Sequence, residues 1–164
     1  GELCDVGAGA GFPSVPLKIA FPSLKVTIIE PLQKRCRFLE VLVKELELQN
    51  VTILNARAED VAVQSQKRYN IVSARAVANL RVLSELCIPL VQLHGTFAAM
   101  KGSNGMQEHE EATNAITTLG CQLTKSDEVQ LSDGSLRVNL AYEKVRKTPK
   151  GYPRAYAKIK KQPL

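Results

Sequence analysis

Residues 4–32 read CDVGAGAGFPSVPLKIAFPSLKVTIIEPL: an apolar run, a glycine-rich bend, a helix-period segment and a second apolar run ending in an acid. A strand pattern closed by Gly7, Gly9 and Gly11 and followed by a helix pattern opens a β-α-β unit. Glycines at such a turn allow a tight bend and let the backbone approach a ligand with no Cβ in the way. Alone, alternating glycines are a weak signature, because they recur by chance in many loops. The acids that flank the unit, Asp5 and Glu30, sharpen it: a ligand is expected between them.

The alternation continues down the chain. Strands are expected at Glu2 to Val6, Lys25 to Glu30, Val51 to Asn55, Asn70 to Ser73 and Thr96 to Lys101. Between them, helices are expected at Pro13 to Phe21, Leu32 to Leu48, Leu80 to Val91 and Gln107 to Leu119. The second helix carries Phe38, Leu39, Leu42, Val43 and Leu46 at three- and four-residue steps, which predicts one buried face. The last two patterns, Cys121 to Leu131 and Leu136 to Val145, are extended and joined by SDG, a hairpin signal. The predicted fold is therefore α/β, a mostly parallel sheet ending in an antiparallel hairpin. That is the layout of the class I, Rossmann-like, S-adenosylmethionine-dependent methyltransferase fold; dinucleotide-binding domains normally stay parallel to the last strand.

Composition bounds the function. The 164 residues suit one domain, and no apolar run is long enough for a membrane helix. The chain enters a strand pattern directly after Gly1, which suggests a fragment that lacks an N-terminal segment. Cys4, Cys36, Cys87 and Cys121 are scattered, with no C-x-x-C pair, so reduced structural thiols and no metal site are expected. The net charge of +6 is unevenly placed. Residues 1–145 carry 15 Lys and Arg against 16 Asp and Glu, whereas residues 146–164 carry seven basic residues and no acid. The expected organisation is a domain over 1–145 and a basic tail over 146–164. Such a tail is either a solubilising end or a phosphate-binding arm with Tyr152 and Tyr156 free to stack on bases.

Three features choose among cofactors. A carboxylate at Asp5 would repel a pyrophosphate arriving at the next helix and would suit the ammonium of a methionine moiety. Glu30, at the end of the second strand, can accept both hydroxyls of a ribose, which dinucleotides and S-adenosylmethionine share. In ARAED, Ala58 and Glu59 can flank an adenine, although Glu59 also suits the first turn of a helix. Together they favour S-adenosylmethionine over a dinucleotide.

The segments DVGAGAGFPSVPLKI, KRCRFLE, RAED, SARAVANL and TPKGYPR resemble the RsmG-type methyltransferases, also called glucose-inhibited division protein B. The resemblance runs from Glu2 to about Arg154. It implies methylation of N7 of a guanine in bacterial small-subunit ribosomal RNA, in the cytoplasm. It also implies S-adenosylmethionine contacts at Gly7, Phe12, Ala58, Glu59 and Arg75. Two departures stand out: the N-terminal helical region of the family is missing, and Glu30-Pro31 replaces the Asp-Ser often found in relatives.

The chemistry agrees with N7. Methyl transfer from a sulfonium chiefly requires alignment, and guanine N7 has an exposed lone pair that needs no general base. The place after the fourth strand reads SARAVANL rather than the Pro-Pro-aromatic motif of amine-directed enzymes. Arg75 there is the expected catalytic residue, able to hold a methionine carboxylate, a guanine edge or a phosphate. Lys34, Arg35, Lys101, Lys150 and Arg154 are candidate RNA contacts, and Arg37 joins Lys34 and Arg35 in a basic cluster. The partner expected is small-subunit RNA or the 30S particle, bound by a monomer without membrane contact. Two alternatives remain: a methyltransferase acting on a small molecule or protein, and a ribosome-binding module with a degenerate pocket. A dinucleotide oxidoreductase fits Asp5 and the terminal hairpin poorly.

Overall fold

β1 (Glu2–Val6) and β2 (Lys25–Ile29) bury four residues in succession each, apolar apart from Asp5 and Thr27, as strands covered on both faces do. The computed structural model describes residues 1–75 and 77–164, so the SARAVANL motif is described apart from residue 76. β3 (Val51–Leu54), β4 (Tyr69–Arg75), β5 (Val91–Lys101), β6 (Cys121–Gln130) and β7 (Leu136–Lys144) complete one sheet in the order β3-β2-β1-β4-β5-β7-β6. β1 to β5 pair in parallel, β7 runs antiparallel to β5, and β6 pairs antiparallel with β7. The expected fold is the one observed. At the hairpin, Gly134 takes a positive φ of 85° and the Asp133 carboxylate accepts the Ser135 N–H at 2.9 Å.

The helices are α1 (Ser14–Ala20), α2 (Gln33–Glu45), α3 (Ala58–Gln64), α4 (Leu80–Cys87), α5 (Gly105–Glu111), α6 (Thr113–Leu119) and α7 (Tyr156–Lys161). α4 is buried along nearly its whole length and packs between the sheet and α3, α5, α6 and α7. Its start is capped by Asn79, whose side chain accepts the Val82 N–H at 3.2 Å. Burial of its Leu80, Leu83 and Leu86 contributes about 2 kcal/mol each.

Several boundaries differ from the sequence reading, for physical reasons. α4 ends at Cys87 because Pro89 forces a 3-10 turn over Ile88–Leu90. β5 then starts at Val91, ahead of the expected Thr96, with a bulge where the register to β4 shifts between Tyr69 and Ile71. A Cβ on Gly95 at that bulge would lie 2.7 Å from the Asn70 carbonyl. The single helix expected over Gln107 to Leu119 is broken at Ala112, where the Thr113 hydroxyl donates to the Glu110 carbonyl at 3.0 Å. In α2 the expected apolar face is narrower than its periodicity suggests. Leu39 is fully buried and Leu42 and Val43 half so, but Phe38 and Leu46 are exposed.

The basic tail is docked, not free. Arg154 donates its backbone N–H and Nε–H to Glu85 Oε1, each at 2.9 Å, and Nη2 to Glu85 Oε2 at 2.7 Å. Glu85 is fully buried in α4, and Ile159 of α7 is fully buried nearby. Arg81 donates to the Pro163 and Leu164 carbonyls at 2.8 Å. Removing one partner of a buried pair strands the other charge in a low dielectric. Arg154→Met should therefore cost about 3 kcal/mol in urea unfolding, and Glu85→Leu combined with Arg154→Met should recover most of that loss.

Candidate active site

The strand order reverses between β1 and β4: β1 leads to β2 on one side, while the chain returns from β3 to place β4 on the other. In open α/β sheets such a switch point leaves a crevice at the carboxyl ends of the strands. Here the crevice is a cleft of about 1440 Å³, with Gly7, Gly9, Glu30 and Arg75 on one side and Met100, Asn139, Val129 and Leu131 on the other.

Asp5 lies beneath this cleft and does not line it. Its side chain is fully buried, accepting the Ser14 N–H on Oδ2 at 3.2 Å and the Ser73 hydroxyl on Oδ1 at 3.1 Å. In sequence Asp5 suits a ligand ammonium, directly or through water; in the structure its oxygens hold β1, α1 and β4 together. Burial pushes the Asp5 carboxyl up to about 6, against the opposing pull of the Ser14 and Ser73 hydrogen bonds and the Arg75 charge.

Gly7 and Gly9 do line the cleft, with φ of 67° and 59°. A Cβ at Gly7 would sit 2.7 Å from Val77 Cγ2, whereas one at Gly9 would meet only open space in the cleft. Gly11 is buried below, against Val15 and Leu39, so its part is packing. Phe12 is exposed, and its ring centroid is 5.6 Å from the Arg75 guanidinium carbon. Arg75 is the last residue of β4, which runs past the expected Ser73 and carries the guanidinium to the cleft rim.

Glu30 is the most telling side chain. It is buried, its Oε1 accepts the Leu32 N–H at 3.1 Å, and its Oε2 has no hydrogen-bond partner. Its backbone is held as well: the Glu30 carbonyl accepts Asn55 Nδ2 at 3.1 Å and its N–H donates to the Leu54 carbonyl at 3.0 Å. A buried carboxylate oxygen without a donor is costly unless a ligand supplies one. The ribose hydroxyls of S-adenosylmethionine fit that need, and the open space over Gly9 fits its bulk.

Ala58 and Glu59 are buried in the first turn of α3, a position that Glu59 suits in the sequence although the helix is too short to show a period, and neither lines the cleft. Glu59 Oε1 accepts Arg57 Nε–H at 2.6 Å, so Glu59 is already paired. Lys34 and Arg35 are exposed on the first turn of α2 at the cleft edge. Lys101 also reaches the cleft, but its buried Nζ donates to the Ala78 carbonyl at 2.5 Å and pairs with Glu108 at 3.2 Å. Lys150 is exposed in the tail, away from the cleft lining, and Arg154 is held by Glu85.

Sequence reasoning missed the far wall. Arg137 and Asn139 are i and i+2 on β7 and so share a face, a spacing visible in the sequence; Val129 of β6 and Leu131, just after that strand, also line the cleft. Phe38, placed in the core by periodicity, lines the cleft instead and is 51% exposed. The four cysteines are all buried free thiols outside the cleft lining, and burial pushes Cys121 up to about 12.

The family model described as GidB, rRNA small subunit methyltransferase G, matches residues 1–136. The ribosomal RNA small subunit methyltransferase G of Staphylococcus aureus is 50% identical over 165 residues, 99% of this chain and 69% of that protein. Its counterpart in Geobacillus kaustophilus is 48% identical, again over 99% of this chain and 69% of that protein. Among solved structures, geranyl diphosphate C-methyltransferase of Streptomyces coelicolor, in complex with S-adenosyl-L-homocysteine, aligns with a TM-score of 0.68. That alignment covers 88% of this chain and 72% of that chain at 13% identity, a likeness of fold alone.

The Asp5 geometry generates a pH dependence. The folded protein keeps the proton of Asp5 up to about pH 6, whereas the unfolded chain releases it near the usual carboxylate value of about 4. Between these values the folded state binds more protons, so this contribution is full below pH 4 and is lost as pH rises towards 6. The stability of the native chain minus that of Asp5→Asn should fall between about pH 4 and 6 and stay level above, as read from urea unfolding at each pH.

Proposed function

From a chain that belongs to the ribosomal RNA small subunit methyltransferase G family, an S-adenosylmethionine-dependent methyltransferase of small-subunit ribosomal RNA, we infer that this cleft holds the donor and methylates N7 of a guanine. The observation that carries the donor site is Glu30: a buried carboxylate with a free oxygen, beside a glycine loop that leaves open space.

S-adenosylmethionine, when bound, supplies a sulfonium-activated methyl group for in-line displacement. Around it, Glu30 accepts ribose hydroxyls, and Gly7 and Gly9 let the loop backbone close on the ligand. Phe12, Ala58 and Glu59 lie outside the cleft lining and are assigned to the donor from the family resemblance, and Asp5 acts through Ser14 and Ser73 to keep the loop in place. Arg75, at the rim beside Phe12, orients the donor carboxylate or the incoming guanine, for which a guanidinium offers paired donors.

N7 as acceptor is supported by the composition of the walls. Among the described residues lining the cleft there is neither histidine nor cysteine, and an N7 lone pair needs neither base nor nucleophile. Phe38, Val77, Val129 and Leu131 give the mouth apolar surface on which an unstacked base can rest.

The RNA is met by Lys34, Arg35 and Arg137 at the cleft and by the exposed tail lysines, including Lys147, Lys150, Lys158 and Lys160. Lys101 supports the cleft from below by holding the segment that follows β4, and Arg154 anchors the tail that presents the lysines. The protein acts as a monomer in the cytoplasm on RNA within the 30S particle. No helix among the described residues is long and apolar enough to cross a membrane.

The test is transfer of labelled methyl from S-adenosylmethionine to small subunits, followed by borohydride and aniline treatment, which cleaves RNA at 7-methylguanine. One new cleavage site is expected in native reactions. Glu30→Ala should lower kcat/KM by about a hundredfold, and Gly9→Arg, which fills the open space, should abolish transfer. Label that enters RNA without creating a cleavage site would overturn N7. Replacing Lys150, Lys158 and Lys160 by Gln should flatten the salt dependence of RNA binding, by about one logarithmic unit of slope for each phosphate no longer neutralised.

A further inference from the structure

The tail reaches Glu59, proposed above as a donor contact, through a chain of two contacts that the proposed mechanism does not use. Arg57 stands immediately before α3, with its side chain about half exposed. Its Nε–H donates to Glu59 at 2.6 Å, while its guanidinium carbon lies 4.2 Å from the centre of the Tyr156 ring. Tyr156 opens α7 and is itself pinned from both sides, by Arg154 on buried Glu85 and by fully buried Ile159. Its own ring packs on the edge of the main core.

A half-exposed arginine ordinarily samples many rotamers, and ordering it costs side-chain entropy. A fixed aromatic face restricts that freedom by cation–π attraction and contact. Arg57 is so restricted, and its Nε–H is turned to Glu59. Tyr156 does not line the cleft, and its contact with Arg57 gives it a route to Glu59.

We propose that the C-terminal segment is a positioning element of the donor site, in which Tyr156 holds Arg57 and Arg57 holds Glu59 in its ligand-binding orientation. The two contacts place a residue from the far end of the chain in control of an acid near its middle. The segment therefore has two uses: its lysines face RNA and its aromatic ring orders the donor site. The inference rests on Glu59 being a donor contact, as proposed above.

The test is calorimetric titration of the full chain with S-adenosylhomocysteine. Glu59→Ala should weaken binding by about tenfold or more. Tyr156→Leu, which keeps apolar bulk but removes the ring, should weaken it by about threefold, and Tyr156→Phe should bind as the native chain does. In the Glu59→Ala background, Tyr156→Leu should cause no further loss, because the ring acts only through that acid. The chain has no tryptophan, so Tyr156→Trp adds a single reporter whose emission should shift as the ligand saturates.

Native affinity in Tyr156→Leu, or full multiplication of the Tyr156 and Glu59 effects, would overturn the proposal while leaving the donor site intact. Native affinity in Glu59→Ala would overturn the reading of Glu59 on which it stands. A loss in Tyr156→Leu accompanied by an equal loss in Tyr156→Phe would also contradict it, since the aromatic face is retained there.

Discussion

A single buried carboxylate organises the centre of this molecule. Asp5, at the carboxyl end of β1, accepts one hydrogen bond from the backbone that begins α1 and one from a side chain of the neighbouring β4. Without those donors a carboxylate so placed would be strongly destabilising. With them it fixes the separation of β1 and β4 at the switch point of the sheet, where the cleft opens. The glycine loop between Asp5 and Ser14 is thus held at both ends, and its curvature follows from the positive φ at Gly7 and Gly9.

Around that point the polar groups divide by whether they are satisfied. Asp5, Lys101, Glu85 and Lys18 are buried and paired: Lys18 Nζ, for example, donates to the Pro22 and Leu24 carbonyls at 2.6 Å. These pairings hold strand ends, helix starts and the tail. Glu30 is different, being buried with an oxygen that no protein group reaches. The Ser14 hydroxyl is also without a partner, but Glu30 is the open carboxylate among the residues lining the cleft, and that marks it as binding site rather than framework.

Much of the fold is legible in the sequence because parallel strands buried on both faces read as apolar runs and helices between them read at their own period. Gly7, Gly9 and Glu30 stand out for the same reason, since loop chemistry and strand ends are local. What is not legible depends on contacts distant in sequence. Arg154 looks like an RNA-binding residue until Glu85, 69 positions away, is seen to take it. Phe38 fits a core stripe by periodicity, yet it lines a cleft whose other lining residues include Val129 and Leu131 and, on β7, Arg137 and Asn139, distant in sequence. α3 is too short for its period to show, and the break at Ala112 depends on one hydroxyl's hydrogen bond. Asp5 is evident on its strand, but its partners Ser14 and Ser73 come from two other elements, so its supporting part is not legible in the sequence.

The central claim is that the cleft at the carboxyl ends of β1, β2 and β4 is where the methyl donor sits. Amide hydrogen exchange across the whole chain, with and without saturating S-adenosylhomocysteine, tests it most directly. The account predicts added protection at residues 6–14 and 29–32, with a smaller gain at 57–60, and little change along α2 and β3 at the sheet edge. Protection confined to the sheet edge or to the β6–β7 hairpin, with the glycine loop unchanged, would contradict it.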